Sequence, residues 1–236
     1  MALERTATAR PGRGYRSLRC AQCGLPQACR LATGDCPCAR FVALENRTRV
    51  TILAHYSELR KPTNTSKLAA LLLRRCRVLS IGDPRSPHAG NPRELIQQLD
   101  AERTLLLFPS PNAEPLATLT PGAYELVVPD GTWAQTRRMV RRYADLQRLR
   151  AVKVDFEPTR YLLRRNAESG LLCTLEAVAR ALSLLDGAAL GRDLETAWLD
   201  WQTRALAMRT GSPSSRAAAD RSPDTAPSGE EPGPTP

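Results

Sequence analysis

Histidine is nearly absent from this chain. It occurs twice, at His55 and His88, and neither stands with a Ser–Asp pair that argues for a nucleophilic triad. Glycine-rich phosphate cradles are missing as well. There is no P-loop and no G-x-G-x-x-G, which removes the commonest nucleotide-binding signatures. Long apolar runs are also lacking: the longest clean ones, such as residues 68–73, fall far short of the roughly 20 residues a membrane helix needs. No membrane association is therefore expected. The first residues carry no apolar core of a secretory signal, so a cytoplasmic protein is the default expectation. Lysine is scarce too: all but Lys61, Lys67 and Lys153 of the 34 basic residues are arginine.

The chain has 236 residues, 42% of them apolar and 25% charged. That is enough for one sizeable soluble domain with appendages. The net charge is +10. The tail beyond residue 209 holds Arg216 and Arg221 against Asp220, Asp224, Glu230 and Glu231, so the rest is more basic still. Such a balance favours a polyanionic partner, nucleic acid first; a general habit of using Arg for Lys is the alternative. No protein partner is indicated. Cysteine is clustered: Cys20, Cys23, Cys29, Cys36 and Cys38 lie together, while Cys76 and Cys173 stand alone. Without a secretion signal, a dense cluster reads as metal ligands before disulfides. The two lone cysteines read as buried thiols.

Composition divides the chain into four stretches. Residues 1–18 are Arg/Gly-rich and 209–236 are Ser, Pro, Ala, Gly and acid; neither can bury enough to order itself. Residues 19–40 form a Cys-rich module and 41–208 an α/β domain. The pattern predicts strands at 50–54, 78–81, 104–108, 125–128 and 151–155. It predicts helices at 66–75, 92–101, 133–143 and 174–185. Several strands are continuous apolar runs, as expected when both faces are covered. Strand–helix alternation then implies a mainly parallel sheet with helices on both faces.

The stretch VPDGTWAQTRRM, residues 128–139, concentrates the chemistry. Thr132 followed three residues later by Gln135 is a capping box, so a helix starts at Trp133. Asp130 and Gly131 then form the turn at the carboxyl end of a strand, where open α/β sheets bind ligands. Gly131 would permit a tight turn. The helix carries Arg137, Arg138, Arg141 and Arg142. From residue 137 to 165 there are ten basic residues and three acids, more charge than a solvated helix face requires, so these arginines are assigned to phosphates. An isolated Asp-Gly, by contrast, is ordinary turn chemistry.

Further stretches join this one. Cys20-x-x-Cys23 with a later Cys36-x-Cys38, KPTNTSKLA (61–69), LFPSPNA (107–113) and YLLRRNAESGLLCTLEAVARAL (161–182) occur in an order that, with D-G-T-W at 130–133, resembles the DTW-domain proteins, the tRNA-uridine aminocarboxypropyltransferases. The resemblance spans roughly residues 19–200. It implies a SPOUT-related fold, with a knot at the cofactor site as part of that expectation. It implies S-adenosylmethionine as co-substrate, with the 3-amino-3-carboxypropyl group passing to N3 of a uridine in tRNA and methylthioadenosine leaving.

Read onto this chain, Asp130 is the candidate catalytic base. Because the dipole at a helix start favours the charged carboxylate, an equal alternative is an anchor for the ammonium group of S-adenosylmethionine. Pro109, Ser110, Thr132, Trp133, Thr174 and Glu176 join Asp130 as expected cofactor-binding residues. Trp133 could stack on a base or pack in the core, and Thr174 could cap its helix. Asn64, Thr65, Arg137, Arg138, Arg141 and Arg164 are expected on the tRNA side, with capping of the next helix a second reading for Asn64 and Thr65. Cys20, Cys23, Cys36 and Cys38 are the expected structural zinc ligands, with Cys29 as rival to one of them. Two other functions stay open here: a SPOUT-like RNA methyltransferase and a non-enzymatic zinc-ribbon RNA-binding factor.

Overall fold

The computed structural model describes residues 19–25, 35–83, 92–155, 159–160, 162–163 and 172–210. Six strands form one sheet: β1 (Arg49–His55), β2 (Cys76–Ile81), β3 (Thr104–Leu107), β4 (Glu114–Pro115), β5 (Glu125–Asp130) and β6 (Arg150–Lys153). Their order is β2-β1-β5-β3-β6-β4, and every pairing is parallel. Seven helices are described: α1 (Tyr56–Leu59), α2 (Thr65–Leu72), α3 (Pro92–Gln97), α4 (Trp133–Arg142), α5 (Ala144–Gln147), α6 (Thr174–Leu185) and α7 (Ala188–Thr210).

Strand alternation sends side chains to two cores. Val50, Ile52 and Ala54 of β1, with Leu126 and Val128 of β5, meet α2, α6 and α7 on one face. Leu53, Leu106 and Val127 meet Ile96, Met139 and Leu146, from α3, α4 and α5, on the other. Both faces are thus covered, and this is why the strands read as unbroken apolar runs rather than alternating ones. On α6, Leu175, Val178, Leu182 and Leu185, at helical spacing, are buried on one face.

Several boundaries differ from the sequence expectation. The helix expected at 66–75 ends at Leu72, because Cys76 already pairs with Val50 in the sheet. The helix expected at 92–101 stops at Gln97. Helix α7 was not marked by the apolar pattern as an element of its own. Its Leu194, Trp198, Trp201 and Ala205 share one face and are buried in the first core. Three-to-four spacing of two tryptophans was the available signal. Cys173 is buried as expected, whereas Cys76 is half-buried.

The connections leaving β1 and β5 diverge. From β1 the chain passes to α2 on the first face; from the adjacent β5 it passes to α4 on the second. Neighbouring strands that send their helices to opposite faces leave a crevice between their carboxyl ends. Ala54 pairs with Asp130 at that point.

Candidate active site

Asp130 is the last residue of β5 rather than the first of a turn, and it is buried. Its side chain points to the first face, where two helices begin. Asn64 and Ser66, from the start of α2, donate to Oδ2 at 2.9 and 2.6 Å. Thr174, the first residue of α6, donates to Oδ1 at 2.6 Å. A carboxylate offers about four lone-pair sites, so three are taken and one remains, on Oδ1. Asn64 also caps α2 by accepting from the Lys67 amide at 3.3 Å. The capping role expected of Asn64 is therefore present in the geometry, alongside its bond to Asp130. Thr65 is buried beside it, close to the Cys173 thiol.

Thr174 does not cap α6. Cys173 does: its sulfur accepts from the Glu176 amide at 3.4 Å, and Glu176 returns a carboxylate oxygen to the Cys173 amide at 2.8 Å. The Thr174 hydroxyl is thereby freed for Asp130. Burial holds the Cys173 thiol well above its ordinary pKa, so it caps as a neutral group. Glu176 also accepts from Thr159 Oγ1 at 2.7 Å and from the Arg160 amide at 2.8 Å. Its carboxylate thus fastens the 159–160 segment to the helix start.

On the second face the capping box is present: Thr132 Oγ1 accepts from the Gln135 amide, and Gln135 Oε1 accepts from the Thr132 amide at 2.8 Å. Gly131 is needed here for space, not for a left-handed turn; among the described residues only Gly24, Gly82 and Gly187 have positive φ. A Cβ on Gly131 would lie 3.1 Å from both Cβ and Oε1 of Gln135. Trp133 is 38% exposed, which settles it outside the core. Its ring sits 6.2 Å from that of Phe108. Pro109, exposed, and Ser110, half-buried, follow Phe108 in a loop at the same sheet edge.

The arginines of α4 face outward. Arg137, Arg138, Arg141 and Arg142 are all exposed. Arg138, Arg141 and Arg142 make no ion pair among the described residues, unlike Arg148 with Asp145 and Arg150 with Glu114. Unpaired guanidinium groups on one helix suit phosphates. Arg164 lies outside the described residues.

The four expected cysteines come together. The sulfurs of Cys20, Cys23, Cys36 and Cys38 all lie within 4.8 Å of one another. Cys20 and Cys38 are 3.7 Å apart, and Cys23 and Cys36 are 3.4 Å apart. Tetrahedral zinc with bonds of about 2.3 Å has sulfur–sulfur edges of roughly 3.8 Å, so the cluster has the right size. Hydrogen bonds from Cys23, Cys36 and Cys38 hold the Cys20 thiol far below its usual pKa, while contacts with Cys20, Cys36 and Cys38 push Cys23 up. Four sulfurs this close favour a shared negative charge that a dication neutralises. Cys29 lies outside the described residues. The module is docked: the Trp201 indole donates to the Cys23 carbonyl at 2.9 Å, and Gly24, at φ +75°, abuts the Pro62 carbonyl so closely that a Cβ would stand 2.2 Å from it.

Two residues of the edge were not anticipated. Ser66 opens the helix predicted over 66–75, and its spacing of two from Asn64 is the one local sign that both serve Asp130. His55 was set aside for want of a triad, yet it bonds Ser57 and Gln135.

Comparison with known proteins gives three findings. The family profile described as "DTW domain" matches residues 18–205. The tRNA-uridine aminocarboxypropyltransferase 2 of Drosophila melanogaster is 32% identical over 142 residues, which cover 59% of this chain and 57% of that protein. The match thus spans a little over half the length of that relative. No solved structure gives a significant match.

Proposed function

The chain belongs to the DTW-domain family, and on that premise we propose that it is a tRNA-uridine aminocarboxypropyltransferase acting in the cytoplasm. One observation carries the reading. Three stretches far apart in sequence, 61–69, 130–133 and 161–182, supply Asn64 and Ser66, Asp130, and Thr174, and these meet on a single carboxylate. They are among the stretches that carry the family resemblance.

When bound, S-adenosylmethionine supplies a 3-amino-3-carboxypropyl group on a sulfonium centre. The N3–carbon bond forms as the carbon–sulfur bond breaks, methylthioadenosine leaves, and the N3 proton passes to water. A sulfonium is already a good leaving group, so the protein's work is positioning. Asp130 has three donors in place and one acceptor site open. That supports the anchor role over the base: a carboxylate held rigid by two helix starts is suited to fixing an ammonium group. Thr132 and the Pro109–Ser110 loop line the same edge. Trp133, half out of the surface beside Phe108, offers a face for base stacking. Arg137, Arg138 and Arg141 bind tRNA phosphates beyond it. Cys20, Cys23, Cys36 and Cys38 would hold zinc with no open position, so the metal is structural. Among the described residues no helix is long and apolar enough to cross a membrane.

The test is mass spectrometry of nucleosides from unmodified tRNA incubated with the protein and S-adenosylmethionine. A uridine carrying the aminocarboxypropyl mass, with methylthioadenosine released, is the expected result. A methyl mass would make the protein a methyltransferase. Tight tRNA binding with no modification across a broad tRNA pool would make it a binding factor.

A further inference from the structure

His55 ends β1, one residue beyond Ala54, the register partner of Asp130. Its Nδ1 lies 2.7 Å from Ser57 Oγ, accepts from the Ser57 amide at 3.3 Å, and lies 3.2 Å from Gln135 Nε2. The orientation of Gln135 is fixed by the capping box, because its Oε1 accepts from the Thr132 amide. Its Nε2–H therefore faces the imidazole. Two N–H groups directed at Nδ1 make that nitrogen an acceptor, and the ring proton sits on Nε2. The ring is braced by Tyr56, at 4.8 Å between centroids. Among the described residues Nε2 has no partner.

The strand alternation sends His55 to the second face, with Gln135, Trp133 and Phe108, away from the side on which Asp130 meets α2 and α6. A fixed N–H donor on the same rim as an exposed indole is the pairing that recognises a nucleobase edge and face together. Uracil carries carbonyl oxygens on both sides of N3. As N3 loses its proton, negative charge spreads onto them. A preorganised donor stabilises that charge without reorganisation.

We propose that His55 donates its Nε2–H to a carbonyl oxygen beside N3 of the target uridine, as a base-contacting catalytic residue of the transferase reaction. This rests on the proposed function. Gln135 and Ser57 are then positioning residues that fix the tautomer.

Two variants separate contact from capping. His55→Asn keeps an acceptor for the Ser57 amide, since asparagine is a preferred helix cap, but removes the outer N–H. His55→Gln places an amide N–H near the lost Nε2. The expected result for His55→Asn is a fall in kcat of about 100-fold or more, with melting temperature, S-adenosylmethionine affinity and KM for tRNA little changed; His55→Gln recovers part of it. Wild-type kcat in His55→Asn would reduce His55 to a helix cap and overturn the proposal. So would a loss of activity that tracks a loss of cofactor affinity. A wild-type protein that transfers nothing would overturn the functional reading itself, a separate outcome visible before any variant is made. Independently of folding in the variants, nitrogen NMR of the two histidines near pH 8, assigned with His88→Gln, should show His55 as the Nε2–H form. An Nδ1–H form would overturn the proposal.

Discussion

Replacing Asp130 by asparagine separates charge from shape. The amide can enter the same space in one tolerable orientation. Its oxygen takes the place of Oδ2 and accepts from Asn64 and Ser66. Its NH2 then faces Thr174, whose hydroxyl can turn to accept instead of donate. All three contacts, now 2.6–2.9 Å to a carboxylate, survive as neutral hydrogen bonds. Each loses about 1 kcal/mol, the difference between charged and neutral partners. The sum of about 3 kcal/mol lowers the melting temperature by roughly 6–12 °C for a domain of this size. The protein stays folded at room temperature. What disappears is the negative charge for the ammonium group, and removing one member of a desolvated charge pair weakens binding by about 2–5 kcal/mol. Calorimetric titration of Asp130→Asn with S-adenosylmethionine should show an affinity at least about 30-fold below wild type. Wild-type affinity with transfer abolished would refute the reasoning and make Asp130 the base.

Chelation is expected to release about one zinc ion per chain and to lower the melting temperature, since Cys23 and Gly24 brace Trp201 and Pro62; metal analysis with differential scanning calorimetry checks both. An unchanged melting temperature would separate the metal from the fold. Replacing Arg137, Arg138 and Arg141 together by alanine should weaken tRNA binding. It should also flatten the dependence of log affinity on log salt by about 2–3, one phosphate contact per arginine. A filter-binding salt series reads the slope, and an unchanged slope would move the RNA off α4. Burial pushes the Cys76 thiol up to about 12, so on the order of one molecule in ten thousand carries its thiolate near pH 8. Iodoacetamide mapped by peptide mass should label Cys76 in the native protein far more slowly than in denaturant.

The sheet was legible because its strands are buried on both faces, and a short apolar run such as ILA of β1 or LVV of β5 has few other uses. The start of α4 was legible because a capping box is local: Thr132 and Gln135 settle it between themselves. The four cysteines were legible because spacing limits how a metal can be held. What the sequence could not convey was reach. Asp130 and Thr174 are 44 residues apart, and nothing local shows that the hydroxyl leaves its helix cap for a strand end. The displaced cap falls to a cysteine, a residue seldom expected there. The partners of Glu176 were out of sight for a related reason: its place in the first turn says nothing of the Thr159 and Arg160 groups that reach its carboxylate from another segment. His55 stayed hidden because its partners belong to α1 and α4, and a search for triads asks for different companions.

The hydrogen bond from Trp201 to Cys23 joins residues 178 positions apart. Ribosomes add roughly 5–20 residues per second, so the thiols of the N-terminal module wait about 10–35 s for their docking helix to be made. Through that interval the module emerges without the indole that holds it and without the first-face core that Leu25 and Cys38 complete. A metal captured early would protect the sulfurs while the rest of the chain is still being built. The helix made 178 positions later is then the one that seats the cysteine module, so the module and α7 complete each other only after everything between them has been synthesised.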